Sequence, residues 1–126
     1  MKEFLGKIVL VVDDEDEIIE ILEEHFEMLD CWVLTAGSGE EALEILLKQR
    51  VDFVISDIRM PNGDGLFLLK RIREELKEPP PVLLISSFSD INAREAVEHG
   101  AIGLMPKPFQ LKEIDEKLLE ALRSKI

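Results

Sequence analysis

Short apolar segments alternate with longer amphipathic segments along the whole of this 126-residue chain, and this alternation is the feature that most limits its fold. The apolar segments are rich in β-branched residues, as is typical of strands buried on both faces. Between them, apolar residues recur every three or four positions, which predicts helices. The predicted strands are 7–12, 32–36, 52–57, 82–86 and 102–105; the predicted helices are 16–29, one from 39, one ending near 75, 90–99 and 110–123.

Strands that alternate with helices form a parallel sheet, because each right-handed crossover returns the chain to the same direction. We therefore predict one α/β domain over residues 1–126, with a five-stranded parallel sheet and helices on both faces. The length also fits one domain. Ligands of such sheets bind beyond the carboxyl ends of the strands, so functional residues are expected there.

The second predicted helix opens with a capping box, in which Glu41 follows Ser38 by three residues.

Cys31 is the one cysteine, so no intramolecular disulfide can form, and its apolar neighbours predict a core thiol. His25 and His99 fall on predicted helices away from the strand ends, and we expect structural roles for both. The predicted buried face of the second helix consists of Ala42, Leu43, Leu46 and Leu47.

A formal net charge of −12 argues against nucleic-acid binding by this chain, because such a surface repels phosphates. No apolar run is long enough to span a bilayer. Residues 1–5 include an acid and lack the apolar stretch of a signal peptide. We therefore expect a cytoplasmic protein that does not associate with a membrane.

Polar residues of a particular kind follow four of the predicted strands. Asp13 and Asp14 follow the first strand, and Asp57 ends the third. Ser86 ends the fourth strand, and the fifth runs into Lys107. If these strands are neighbours, three carboxylates, a hydroxyl and an ammonium converge on one cleft.

Such a set of groups suits phosphoryl transfer. Two unit charges about 4 Å apart repel by about 4 kcal/mol at an effective dielectric constant of about 20, so clustered carboxylates call for a cation. Oxygen ligands without histidine or cysteine favour Mg2+ or Ca2+, and an open, partial set favours Mg2+. An ionised Asp57 needs no base to act as a nucleophile, while Lys107 and Ser86 would bind phosphoryl oxygens.

Each residue also has a plain structural explanation. Asp13 and Asp14 precede a helix, whose dipole favours acids at its amino end. Lys107 lies between two prolines, where an exposed loop residue is common. Their joint occurrence at four strand ends, in this order, favours the phosphoryl-transfer interpretation.

Four stretches of the chain together resemble the receiver domain of two-component response regulators. They are VLVVDDE at 9–15, DFVISDIRMPNGDGL at 52–66, PVLLISS at 81–87 and GAIGLMPKPF at 100–109. The resemblance extends over essentially the whole chain. It implies a flavodoxin-like fold with strand order 2-1-3-4-5.

The resemblance also implies roles for individual residues. Asp57 would be the phosphoacceptor, supplied by a sensor histidine kinase, a phosphotransfer protein or a small phosphodonor. Asp14 would ligate Mg2+ directly, Asp13 mostly through water, and Arg59 through its backbone carbonyl. Ser86 and Lys107 would contact the phosphoryl group, and the Lys107–Pro108 bond would be cis. Such a protein is not a turnover enzyme but assists its own phosphorylation and dephosphorylation.

Phosphorylation would then change the surface of the fourth helix, fifth strand and fifth helix, and so regulate an output domain or a partner protein. One residue departs from the family pattern. Leu104 stands where receivers usually carry tyrosine or phenylalanine, and the chain has no tyrosine. The usual aromatic rotamer switch is therefore not expected. Phe88 could pack over the site or in a loop core.

Three alternatives remain open from the sequence. A haloacid-dehalogenase-like phosphatase has a D-x-D motif, which Asp14-Glu15-Asp16 imitates, but it also needs a later acidic pair. A flavodoxin-like binder needs a phosphate loop where Asp13 and Asp14 stand. The third is an interaction domain that keeps the site without using it. The chain is compatible with a stand-alone regulator or with the receiver of a longer protein.

Overall fold

Five parallel strands form one sheet in a computed structural model that describes residues 2–86 and 93–124. Their spatial order is β2-β1-β3-β4-β5, which confirms the predicted α/β class and strand order. Four strand boundaries differ by one residue from those predicted. The strands are β1 (Ile8–Val12), β2 (Trp32–Ala36), β3 (Phe53–Asp57), β4 (Val82–Ser86) and β5 (Gly103–Pro106).

Helices connect the strands, and a short 3-10 helix at Lys2–Phe4, which was not predicted, precedes β1. The predicted start of the fourth helix at 90–92 lies outside the described residues, as does Phe88. Among the helices that are described, none has the length and apolar character needed to cross a membrane. The helices are α1 (Asp16–Met28), α2 (Gly39–Lys48), α3 (Gly65–Glu75), α4 (Ala93–Glu98) and α5 (Leu111–Arg123).

Alternate residues of each strand enter two separate apolar cores, one on each face of the sheet. Leu10, Val54 and Leu84 lie in the core that α2 and α3 cover. Val9 and Ile55 lie in the opposite core, which α1 and α5 cover. Because both faces are covered, the central strands read as continuous apolar runs rather than as alternating sequences.

The predicted burial of Leu47 is wrong, since this side chain is 52% exposed. The buried stripe of α2 consists of Gly39, Ala42, Leu43 and Leu46. At 100° a residue, Leu47 lies about 90° from the centre of that stripe. Its side chain therefore points past the sheet. Trp32, at the amino end of the edge strand β2, is also exposed, at 71%.

The capping box at the start of α2 is only half as predicted. The Ser38 hydroxyl accepts a hydrogen bond from the Glu41 amide at 3.2 Å. The Glu41 carboxylate, however, accepts from the Gly37 amide at 3.1 Å, one residue earlier than the standard motif. Asp64 caps α3 in the same way, with its carboxylate accepting from the Phe67 amide at 2.8 Å.

Cys31 is a buried core thiol, as predicted. Its Sγ donates a hydrogen bond to the Phe4 carbonyl at 3.3 Å. Burial, together with nearby acids, raises the pKa of this thiol to about 11, so it stays protonated at neutral pH.

The two histidines lie away from the carboxyl ends of the strands. The His25 ring nitrogen Nε2 lies 2.8 Å from the buried Asp115 carboxylate and joins α1 to α5. His99 follows α4, and its carbonyl accepts a hydrogen bond from Arg73 of α3. Both contacts are between structural elements, in line with the structural roles expected.

Gly65, the first residue of α3, is expected to be needed for the end of β3 to keep its place. A Cβ at this position would lie 2.4 Å from the Asp57 carbonyl oxygen. We expect Gly65→Ala to lower the free energy of unfolding by about 1–3 kcal/mol, because two backbone segments would have to separate. Urea unfolding measures the change.

Gly103→Ala is the matched control for Gly65→Ala. A Cβ at Gly103 would meet its nearest side-chain atoms at 3.6 Å, an ordinary contact. This variant should unfold at the same or a higher urea concentration than the wild type. Equal losses in the two variants would contradict the steric explanation.

Candidate functional site

The strand order brings the predicted site residues to one edge of the sheet. β1 lies between β2 and β3, and Val12 pairs with Ser56, so Asp13 and Asp57 are the next residues on neighbouring strands. On the other side of β3, Ser86 of β4 pairs with Pro106 of β5. The strand ends therefore converge as the sequence predicted.

Three carboxylates form a compact cluster at this edge. Oxygen atoms of Asp13, Asp14 and Asp57 all lie within 4.8 Å of one another. Asp13 is 1% exposed and Asp57 is 6% exposed, whereas Asp14 is open to solvent. The cluster thus has two buried acids and one acid at its mouth.

Lys107 is the cation of this cluster rather than an exposed loop residue. Its Nζ donates to Asp13 Oδ2 at 3.1 Å and to Asp57 Oδ2 at 3.3 Å. A third partner is Glu15, whose Oε1 lies 3.1 Å away. The Lys107 side chain is 10% exposed, and its bond to Pro108 is cis, as expected from the resemblance.

Burial and charge act in opposite directions on the acids. Burial raises the pKa of the Asp57 carboxyl, and the charge of Lys107 only partly offsets this rise. Burial also raises the pKa of Asp13, against hydrogen bonds from the Glu15 amide and from Lys107. Burial alone would lower the pKa of Lys107, but its hydrogen bond and attraction to Asp13 raise it, so it is an ammonium.

Negative charge therefore exceeds positive charge in the cluster, and the ligand atoms there are all carboxylate oxygens. Such a set suits a hard divalent cation such as Mg2+. The acidic cluster found among the described residues contains no histidine or cysteine, which a zinc site would favour. The residues present fit the predicted cation.

Two further predicted residues lie at the same edge. Ser86 is 5% exposed, and its carbonyl accepts a hydrogen bond from the Lys107 amide at 2.8 Å. Arg59, two residues after Asp57, lines a surface cavity of about 420 Å3 together with Asp14 and Asp64. This cavity opens beside the acidic cluster.

Glu15 is a further residue of the site, and its role was not predicted from the sequence. Its signal was its place as the third consecutive acid after β1, at the residue that caps α1. Helix caps usually carry Ser, Thr, Asp or Asn, whose short side chains reach the helix amides. A glutamate there is unusual enough to suggest another partner.

Comparison with known proteins relates the chain to signalling proteins. A profile of the family described as the response regulator receiver domain matches residues 9–119. The probable transcriptional regulator ycf27 of Guillardia theta is 37% identical over 116 residues, which are 91% of this chain and 45% of the relative. The chain spans about half the length of the curated relatives it matches.

Solved structures resemble the chain over nearly its whole length. The receiver domain of the Francisella response regulator 1452 is 27% identical, with a TM-score of 0.86, and the match covers 96% of this chain and 100% of that one. A chain of the CheX–CheY–BeF3–Mg2+ complex from Borrelia burgdorferi is 26% identical, with a TM-score of 0.84 and coverage of 93% and 90%. The similarity agrees with the observed sheet order.

The excess of negative charge predicts how stability depends on Asp57. Because the pKa of the folded carboxyl is raised, folding disfavours its ionised form. Asp57→Asn should therefore raise the metal-free free energy of unfolding at neutral pH, by roughly 1 kcal/mol. A raised folded pKa means that wild-type stability falls as pH rises through that pKa, so the difference should vanish below the ordinary value of 3.8.

Urea unfolding in a chelating buffer, at several pH values between about 3 and 8, measures this difference. Asp16→Asn is the control, since Asp16 is an exposed acid in the first turn of α1. An equal gain in the control would show that total charge, rather than the buried cluster, limits stability.

Proposed function

The chain belongs to the response regulator receiver domain family, and on this basis we propose that it is a phosphorylation-activated switch whose phosphoacceptor is Asp57. Receivers are the phosphoaccepting modules of two-component signalling. The observation that carries the assignment is the buried Asp57 carboxylate at the end of β3, 3.3 Å from the Lys107 ammonium and inside the acidic cluster.

The proposed reaction transfers a phosphoryl group to one oxygen of Asp57. That oxygen attacks phosphorus, a new P–O bond forms, and the bond from phosphorus to its donor breaks. The donor is a phosphohistidine of a sensor histidine kinase or phosphotransfer protein, or a small acyl phosphate. The ionised carboxylate needs no general base, so transfer depends on positioning and charge stabilisation.

Mg2+ would be held by Asp13, Asp14 and Asp57, with the backbone carbonyl of Arg59 as a further ligand. When bound, it would neutralise charge on the phosphoryl oxygens. The donor set supports this assignment, since it is made of carboxylates with an excess of negative charge. The Borrelia relative, whose structure is described as containing CheY, BeF3 and Mg2+, supports it by analogy.

Lys107 and Ser86 would bind the phosphoryl group from the β4 and β5 side. Lys107 brings an ammonium that already lies beside Asp57. Ser86 brings a hydroxyl from the end of the neighbouring strand, where its backbone is tied to that of Lys107. Together they would link the state of Asp57 to the strands that border α4 and α5.

This switch has no separate substrate that it turns over, and it would assist only its own phosphorylation and dephosphorylation. Membership of the receiver family speaks against the phosphatase and flavin-binding alternatives. The partners would be a sensor histidine kinase or phosphotransfer protein and a downstream effector, either a domain of the same chain or another protein. We place the protein in the cytoplasm, and its charge of −12 argues against direct binding to nucleic acid or to membranes.

The output surface would consist of α4, β5 and α5. Leu104 of β5 is partly buried against the core on the α2 and α3 face and pairs with Leu84. It has no ring to rotate and no hydroxyl to exchange partners. Coupling would therefore run through the backbone after β4, at residues 87–90, which lie outside the described residues.

Asp57 alone should accept phosphate. Acetyl phosphate with Mg2+ should add one phosphoryl group to the wild type and none to Asp57→Asn, and a chelator should suppress the reaction. Asparagine has nearly the same shape as aspartate, so loss of labelling reports the nucleophilic oxygen. Intact-protein mass spectrometry measures the addition. Stoichiometric labelling of the Asp57→Asn protein would place the reaction at another residue, and an unlabelled wild type would favour an unused site.

The route from Asp57 to the output surface should pass through the Ser86 hydroxyl. Beryllofluoride should shift amide resonances of α4, β5 and α5 in the wild type, and less so in Ser86→Ala, because the shift follows a change in the populations of two states. Leu104→Tyr should enlarge the shift by restoring an aromatic ring. If Ser86→Ala leaves the shift undiminished, the hydroxyl is not the conduit. If Leu104→Tyr adds nothing, the ring is not the missing part.

A further inference from the structure

Glu15 is joined to the phosphorylation site in two ways. Its backbone amide donates a hydrogen bond to Asp13 Oδ1 at 2.9 Å, which fixes its main chain against the acidic cluster. Its side-chain Oε1 accepts from Lys107 Nζ at 3.1 Å. The contact spans 92 positions in the sequence, so it is a product of the fold and not of local geometry.

The side chain of Glu15 does not make the hydrogen bond that is usual at its position. Glu15 is the capping residue of α1, yet it makes no side-chain hydrogen bond to the helix amides. Ser38 and Asp64, the capping residues of α2 and α3, both make such bonds. The carboxylate that could cap α1 is turned towards Lys107 instead.

All donors of the Lys107 ammonium are taken in this arrangement. An ammonium carries three N–H donors. They meet Asp13, Glu15 and Asp57 at 3.1, 3.1 and 3.3 Å. A phosphoryl oxygen on Asp57 can bind this ammonium only if one carboxylate gives up its place.

Glu15 is the partner that can leave at least cost. Asp57 carries the phosphoryl group itself, so the choice lies between the other two partners. The Asp13 side chain is 2% exposed and would be left buried, whereas the Glu15 side chain is 55% exposed and returns to water. Glu15 also lies outside the group of carboxylates that suits a metal ion.

We propose that Glu15 is a positioning residue, which holds the Lys107 ammonium beside Asp57 in the resting protein and is displaced from it by the phosphoryl oxygen. This inference rests on the proposed function, since it presumes an anion at Asp57. In the resting state Glu15 keeps the ammonium in place, and on phosphorylation it competes with the product for the same donor. Glu15 thereby weakens binding of any phosphoryl-like anion.

The test is the affinity for beryllofluoride at saturating Mg2+, measured by amide resonance titration. Glu15→Gln should bind beryllofluoride roughly twofold to fivefold more tightly than the wild type, the range expected for loss of a partly exposed ion pair. Glu15→Ser should bind beryllofluoride as tightly as Glu15→Gln does. It should melt at the same temperature as the wild type or at a higher one, because serine can cap α1. A purely structural role would instead lower the melting temperature.

Two variants separate the contact from the charge. Glu17→Gln removes an exposed acid of α1 with no described contact to Lys107, and its affinity should match the wild type. Glu15→Asp keeps the charge but has a side chain one methylene shorter and suited to capping, so it should behave like Glu15→Gln. Wild-type affinity in Glu15→Asp, or equal effects of the substitutions at Glu15 and Glu17, would overturn the inference. A wild type that binds no beryllofluoride would instead reject the phosphoacceptor assignment, and the inference with it.

Discussion

Repulsion among the carboxylates at the ends of β1 and β3 is the constraint on which the rest of the site depends. The parallel pairing of these strands places Asp13 beside Asp57, and the packed cores beneath them keep both acids out of water. Lys107 supplies one positive charge, which only partly balances the negative charges of the carboxylates around it. Attraction for a cation, the position of the lysine and its need for more than one partner all follow from this imbalance.

The site combines residues held by the sheet with residues that reach it from beyond the strand ends. Asp57 is the last residue of a strand buried along its whole length, and Asp13 follows another, so their backbones are held by cores on both faces of the sheet. Lys107 and Glu15 lie beyond strand ends and reach the acids through long side chains. We therefore expect a change in charge at Asp57 to alter the contacts of Lys107 and its partners rather than the sheet.

Much of the fold and of the candidate site could be predicted from the sequence, because strands buried on both faces of a sheet have long apolar runs that are easily recognised. The position of each strand, and the convergence of Asp13, Asp57, Ser86 and Lys107, followed from those runs. The strand order came from the family resemblance, since periodicity does not say which strands pair. Leu47 was wrongly predicted to be buried because it lies beside the buried stripe of α2, and the sequence does not show where that stripe ends. The Glu15–Lys107 contact joins residues far apart in sequence, and only the folded chain shows it.

The single tryptophan gives the protein an unusual optical property. Trp32 begins β2, so it lies at the amino edge of the sheet, while the acids lie beyond the carboxyl edge, with the five-residue strand between. At about 3.3 Å a residue, a strand of this length keeps the indole well over 10 Å from the site. With no tyrosine in the chain, its ultraviolet emission reports on the amino edge alone. Phosphorylation of Asp57 would therefore leave the intrinsic fluorescence unchanged unless a structural change extended from the carboxyl edge of the sheet to Trp32.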